Sequence, residues 1–196
     1  MARPKAAATP NRRLQILTQA ASLFRSNGFN ATTMRQLAEQ LGIEAASLYN
    51  HISSKEELLR EICFNVANEF NTQLATVQLQ ELSPLQKLEA ILRFHIGMLL
   101  SRPDDVYVSN RDWKHLKEPW LTNFLTQRRQ YEHQLADIIQ QGIDRGQLRP
   151  LQPPVAVLGL LSAVRSIEYW QRSKRPIGGT QAVDDLITLL LKGVSN

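Results

Sequence analysis

Cysteine occurs once in these 196 residues, at Cys63. A lone thiol excludes an internal disulfide and fits a reducing compartment. Long apolar runs are missing as well. None approaches the ~20 residues that a membrane span needs, and the opening MARPKAAATPNRRL has no apolar stretch of signal-peptide type. A cytoplasmic chain with no membrane partner is expected. The signatures of catalysis are also lacking: there is no HExxH, no P-loop and no GxSxG. The four histidines, His51, His95, His115 and His133, form no i, i+4 pair. An enzyme is therefore not expected, nor is a metal site or a cofactor.

Negative charge is missing from one end. No acid precedes Glu39, and residues 1–60 hold eight Lys/Arg against four Glu. The other 136 residues hold 15 bases and 14 acids, so most of the net charge of +5 sits at the N-terminus. A basic end on a near-neutral body points to a polyanion, most simply nucleic acid.

Alternating strand patterns of useful length are absent too, whereas helical periodicity runs through almost the whole chain. The fold class is all-α, with about nine helices. Thr9-Pro10 reads as the start of the first, with Leu14, Leu17, Ala21 and Phe24 as its buried stripe and Asn27-Gly28 as its end. Thr33 opens a second helix, and Gln36 completes a capping box. Gly42 stops it. A third, short helix covers about Ala45 to His51. Ser53-x-x-Glu56 and Ser54-x-x-Glu57 both read as capping boxes for a long fourth helix. After a break at Pro84 come a helix to about Leu100, an irregular or short-helical stretch from Asp104 to about Lys117, a long amphipathic helix from Pro119, and two apolar helices at about 154–170 and 181–194.

The second and third helices, joined through Leu41-Gly42-Ile43, have the spacing of a helix-turn-helix, whose second member lies in the DNA major groove. Thr33 stands at a helix N-terminus suited to a phosphate, and Arg35 lies early on the same helix. On the outer face of the short helix, Ala45 permits close approach to the bases and Ser47 can bond a base edge. Tyr49, Asn50 and His51 supply longer polar groups beside it. Lys55, in the first turn of the fourth helix, suits one more phosphate.

The segment TTMRQLAEQLGIEAASLYNHISSKEEL, preceded by ILTQAASLFRSNGFNAT, resembles the DNA-binding domain of TetR-family transcriptional repressors. Gly28-Phe29, Thr33, Ala38-x-x-Leu41-Gly42-Ile43, Leu48-Tyr49-x-His51 and Ser54-Lys55-Glu56-Glu57-Leu58 fall in that family's order and spacing. Departures occur at Glu44, where Ser or Thr is frequent, at Ala45, where a base is frequent, at Ala46, a common Gly, and at Ile52-Ser53, usually Phe-Pro. The resemblance implies a basic, disordered arm over 1–10, a helix-turn-helix domain over 11–54, and a ligand-binding and dimerisation domain over 55–196. It also implies a homodimer on a palindromic double-stranded operator, released by a small-molecule effector and associated with the bacterial nucleoid.

The implied pairing surface carries Leu158, Leu161, Arg165, Trp170, Val183, Leu186, Ile187 and Leu190. Candidate pocket residues are Phe64, Phe94, His95, Met98, Trp113, Trp120, Phe124, Arg128, Tyr131 and Arg165. Arg165, inside an apolar helix, needs a partner, and Glu168 three residues on is the expected one. The stretch RRQYEHQLADIIQQGIDRGQLRP, with the later EYWQRSKRP, is similar to a subgroup tied to fatty-acid and sterol catabolism. That likeness implies an acyl-CoA thioester as effector, with an aromatic or other hydrophobic molecule as the alternative. An effector-independent DNA-binding or architectural protein, and an activator of the same fold, are the rival readings.

Overall fold

The computed structural model describes residues 12–172 and 180–195, and the side chains of 170–172 are outside that description. The arm over 1–10, the Thr9-Pro10 helix start and Trp170 therefore lie outside the described residues. The described chain is all-helical: α1 (Arg12–Asn27), α2 (Met34–Gln40), α3 (Ala45–Tyr49), α4 (Lys55–Gln78), α5 (Pro84–Ser101), α6 (Pro103–Arg111), a 3-10 turn (Trp113–His115), α7 (Trp120–Asp144), α8 (Pro153–Arg165), α9 (Ile167–Arg172) and α10 (Thr180–Val194). α8 and α9 are one rod interrupted at Ser166, whose amide is shared between the Ser162 and Ala163 carbonyls. That gives nine rods among the described residues. The stretch expected to be irregular or short helix after Pro103 takes the second form, as α6 and the 3-10 turn.

The head is made by local rules. In α1, Ile16, Ala20 and Phe24 repeat at i, i+4 and turn inward together with Leu17, Ala21 and Leu23. Leu14, expected on that stripe, is instead 58% exposed, because Ile16 sets the buried register. Thr33 and Gln36 form the reciprocal box at the start of α2. At its end Gly42 adopts φ +63, the Ile43 amide returns to the Ala38 carbonyl (3.0 Å) and the Gly42 amide to Glu39 (3.1 Å). This left-handed C-terminal cap turns the chain into α3.

With five residues, α3 has too few internal hydrogen bonds to stand alone. Leu48 and Ile52, both fully buried, pin it to α1 and α4. Removing such a side chain costs about 2–5 kcal/mol.

The start of α4 differs from the paired boxes read in the sequence. Ser54 caps the Glu57 amide (3.2 Å), but the Glu57 carboxylate reaches past it to the Ser53 amide (2.8 Å) and hydroxyl (2.6 Å). Arg13 of α1 closes the same corner, donating to Glu57 (2.9 Å), to Glu61 and to the His51 carbonyl (2.6 Å). One guanidinium thus holds the exit of α3 and the first two turns of α4 to α1.

Two buried clusters share α4. The N-terminal one joins α1–α3 to Leu58, Leu59, Ile62 and Cys63, and also takes in Val108, Leu116 and Phe124 from the body. The other packs Val66, Leu74 and Val77 of α4 among α5, α7, α8 and α10. Among the described residues no helix is long and apolar enough to cross a membrane.

The hydroxyl and amide of Ser53, and then Arg13, hold the Glu57 carboxyl down at about 2. A depressed carboxyl contributes stability above its ordinary range and loses it as pH falls through the folded value. Urea unfolding of Glu57→Gln beside the parent is expected to show a stability gap that is full above about pH 4.5 and shrinks toward about pH 2. A gap that does not change over that range contradicts this arrangement.

Candidate functional site

Two sites lie along α4: an exposed polar face around α3, beside its first turn, and a cavity in the body against its middle. On the first, Ser47, Tyr49, Asn50 and His51 are all exposed, Tyr49 by 53%. Ala46 shares that exposure, whereas Ala45 is half-buried against the head's core, so Ala46 is the small residue on the open side. Glu44 caps α3 without a side-chain hydrogen bond. The Thr33 hydroxyl is engaged with Gln36 Oε1 (3.1 Å). Arg35 extends into solvent, 86% exposed along its side chain, tethered to Glu39 at 3.0 Å. A pair that open contributes little and is easily exchanged for a phosphate.

Lys55 is more constrained than its sequence position implies. Its ammonium donates to the carbonyls of Phe29 (3.0 Å), Asn30 (3.1 Å) and Thr32 (3.0 Å), and stands 4.7 Å from the Phe29 ring centre. All three donors are used to tie the α1–α2 loop to α4. Any phosphate at this corner meets the charge of Lys55 rather than a free N–H.

The cavity has a volume of about 70 Å³. α4 supplies Ala67, Phe70 and Asn71; α5 supplies His95 and Leu99; α6 supplies Val106, Ser109 and Asn110. α7 adds Phe124, Arg128, Tyr131 and Glu132, and α8 adds Leu161, Val164 and Arg165. Of the residues expected there, His95, Phe124, Arg128, Tyr131 and Arg165 line it. Phe64 packs edge-on against Trp120 and Phe124, Phe94 stands behind Phe70, and Met98 is in the core. Trp113 and Trp120 lie under the guanidiniums of Arg128 and Arg60 respectively. Phe70, Asn71, Ser109, Asn110 and Glu132 carry no signal in the sequence that separates them from other polar or core residues.

Polar chemistry is concentrated on two walls. His95 Nε2 and the Tyr131 hydroxyl are 2.6 Å apart, and the imidazole stacks on Phe70 at 4.1 Å between ring centres. Burial, with Arg165 nearby, pushes the His95 imidazole down to about 3, so it is neutral and can accept the Tyr131 proton. Burial raises the Tyr131 phenol in turn. On the other wall, burial and the neighbouring Arg128 lower Arg165, while Glu132 opposes them. The expected Arg165–Glu168 pair is not formed. Among the described residues Arg165 has no hydrogen bond or ion pair, because the charges facing it come from α7.

α6 connects the cavity to the head. Arg25 of α1, mostly buried, donates to Asp104 at 2.6 Å and lies over the Tyr107 ring at 5.4 Å. Ser109 and Asn110, one to two turns farther along α6, face the cavity.

Of the pairing-surface candidates, Leu161, Leu186 and Ile187 are packed into their own chain's core, as their helices turn those positions toward α5 and α7. Val183 and Leu190 are partly buried, and Leu158 is 66% exposed. With Val155 and Leu189 (69%), Leu158 forms an uncovered apolar face on α8 and α10.

An exposed recognition turn on a three-helix head, joined by a long helix to a cavity-bearing helical body, defines a one-component DNA-binding regulator. The family model for bacterial regulatory proteins of the tetR family matches residues 16–62, and that for a tetracyclin repressor-like C-terminal domain matches 81–194. The chain belongs to the TetR family of transcriptional regulators. It is 25% identical over 187 residues to the HTH-type transcriptional repressor KstR2 of Mycolicibacterium smegmatis, covering 94% of this chain and 91% of that one. KstR2 of Rhodococcus jostii is 26% identical over 191 residues, with 94% and 92% covered. The structure of the ketosteroid transcriptional regulator KstR2 of Mycobacterium tuberculosis superposes with a TM-score of 0.84 at 23% identity, over 97% of this chain and 98% of that one. AibR in complex with isovaleryl coenzyme A and operator DNA superposes with a TM-score of 0.77 at 27% identity, over 92% and 98%.

Ser47 and Tyr49 are expected to make two different kinds of DNA contact. Tyr49→Phe is expected to weaken binding about equally on all duplexes, as loss of a phosphate contact does, whereas Ser47→Ala changes which bases are preferred. Binding curves on a panel of single-base operator variants check this; a Tyr49→Phe variant with parental affinity throughout contradicts it.

Proposed function

We propose that this regulator is a repressor that binds a palindromic operator as a homodimer and leaves it when an acyl-CoA-type thioester enters the body. The head over 11–54 reads the DNA through Ser47, Tyr49, Asn50 and His51, with Thr33, Arg35 and Lys55 toward the backbone. The domain over 55–196 holds the ligand and pairs with a second copy. The chain works in the cytoplasm on nucleoid DNA, and its body binds the thioester without turning it over.

The observation that carries the ligand class is the pair Arg128 and Arg165 on the cavity wall. Two cations at a partly buried site, with Glu132 as the acid opposite, are costly together, and an anionic ligand relieves that cost. Apolar surface around them, from Phe70, Leu99, Phe124 and Val164, suits an acyl chain attached to the anion. A relative of the same architecture, AibR, is described bound to isovaleryl coenzyme A and operator DNA.

Pairing through α8 and α10 follows from the uncovered Val155, Leu158 and Leu189. Gly159 and Gly193 line the groove between these helices, where a missing side chain lets a second backbone approach. A two-fold dimer sets its recognition helices about one DNA turn apart, ~34–36 Å.

Selection from random duplexes is expected to return inverted repeats with that spacing, and native mass spectrometry to show a dimer. Leu158→Glu is expected to give a monomer that no longer distinguishes the repeat from a half-site. Arg165→Met is expected to keep parental operator affinity while needing about tenfold more thioester for release, the loss of one charge-assisted contact. Selected sites without two-fold symmetry, or an Arg165→Met variant released as readily as the parent, contradict the proposal.

A further inference from the structure

The volume behind the arginines is small, and this has a consequence for the ligand. The inference rests on the acyl-CoA reading above. A cavity of about 150 Å³ lined by apolar side chains accommodates benzene, which is about 25 Å³ for each of its carbons. At that filling, the cavity of about 70 Å³ between α4, α5, α6, α7 and α8 takes about three carbons. Interiors are packed densely enough that additional methylenes displace neighbours rather than fill slack. Phe124 and Leu99 are buried, and Phe70 is locked between His95 and Phe94, so the far wall has little room to retreat.

A second space adjoins this one. A groove of about 420 Å³ runs between α7 and α8 and shares Arg128, Glu132, Leu161 and Arg165 with the cavity as a common wall. Its α7 rim carries Arg129 and His133, both exposed, and its α8 rim carries Pro154 and Leu158, the latter also on the proposed pairing face. Its three guanidiniums face one carboxylate, Glu132, so the groove is net positive. The order from inside to outside is therefore a small compartment walled by Phe70, Leu99, Phe124 and Val164 together with the mutually bonded His95 and Tyr131 and the polar Asn71, Ser109 and Asn110, then a pair of cations, and a wide basic groove. That is the order of a thioester whose short acyl group lies innermost, whose carbonyl lies beside Arg128 and Arg165, and whose phosphates lie outermost.

We infer that the inner compartment is a length gauge, admitting acyl groups of about three to five carbons, counting the carbonyl carbon at the shared wall, and excluding longer chains and fused rings. One regulator of similar architecture is described as a ketosteroid transcriptional regulator, and a fused-ring acyl group is several times larger than this space. This chain keeps the frame and takes a smaller cargo.

Isothermal titration calorimetry on the full-length dimer tests this, using coenzyme A thioesters from acetyl to lauroyl, one fused-ring thioester, and free coenzyme A as the baseline. The expected result is tightest binding between propionyl and isovaleryl, with octanoyl and the fused-ring thioester weaker by about tenfold or more. Leu99→Ala and, independently, Val164→Ala enlarge the far end, and each is expected to move the preference to longer chains while weakening the short ones. A mere loss of folding does not produce that crossing. Octanoyl or the fused-ring thioester binding the parent as tightly as butyryl overturns the length gauge and leaves the acyl-CoA reading in place. Equal weakening of every thioester in both variants, with no shift in preference, also overturns the gauge. No thioester exceeding free coenzyme A overturns the acyl-CoA reading itself, and the gauge with it.

Discussion

One helix cannot move without being felt at both sites. α4 runs for 24 residues, about 36 Å at 1.5 Å per residue, and is buried in two cores along its length. Its first turns are fastened to the head by Lys55 on three carbonyls and by Arg13 on Glu57 and Glu61. Three turns on, Ala67, Phe70 and Asn71 are walls of the cavity. Because the same rod is part of the head's core and of the cavity, a ligand that displaces its middle changes the placement of its start, and with it α3. The Arg25–Asp104 pair gives α6 a second grip on the head, so the two helices constrain the recognition turn from both sides.

What each site does follows from what its residues are left free to do. Around α3 the side chains with polar ends are exposed and short of partners, because Leu48, Ile52 and half-buried Ala45, with the Arg13 bond to the His51 carbonyl, hold the helix. In the body the arrangement is the reverse. His95 and Tyr131 satisfy each other and remain neutral, so that wall adds hydrogen bonding without charge. Arg128 and Arg165 are left with a single acid between them. On the proposed reading this cavity discriminates by sign and by size at once: the guanidiniums ask for an anion, and Phe70, Leu99, Phe124 and Val164 limit what is attached to it.

The head was legible in the sequence and the cavity only partly so, for a physical reason. Thr33 with Gln36, Gly42 at the turn, and Leu48 with Ile52 act on neighbours within a few residues, and their spacing alone states the geometry. Arg13 meets Glu57 and Glu61 more than forty residues away, and Arg25 meets Asp104 after 79, so nothing in the local pattern announces either pair. Size and aromaticity bring Phe124 and Tyr131 to attention but equally Phe64 and Trp120, which pack on each other instead. Which face of a helix borders a cavity depends on the helix opposite. For the same reason an apolar stripe on α10 does not say that Leu186 and Ile187 turn inward while Leu189 stays uncovered. Even a nearby pairing misleads when a third helix intervenes: Arg165 and Glu168 have the spacing to meet, yet α7 presents the charges that Arg165 feels.

The cavity and the recognition turn are proposed as two ends of one equilibrium. Its most direct test is reciprocity, since an effector that weakens operator binding must itself be bound more weakly by the operator complex, by the same factor. The measurement is the dissociation constant of a butyryl thioester for the free dimer and for the dimer saturated with its selected operator, set beside the operator's own constant with and without that thioester. Weakening by equal factors is expected, about five-fold or more in each direction. Thioester binding of undiminished strength on the operator complex would contradict it.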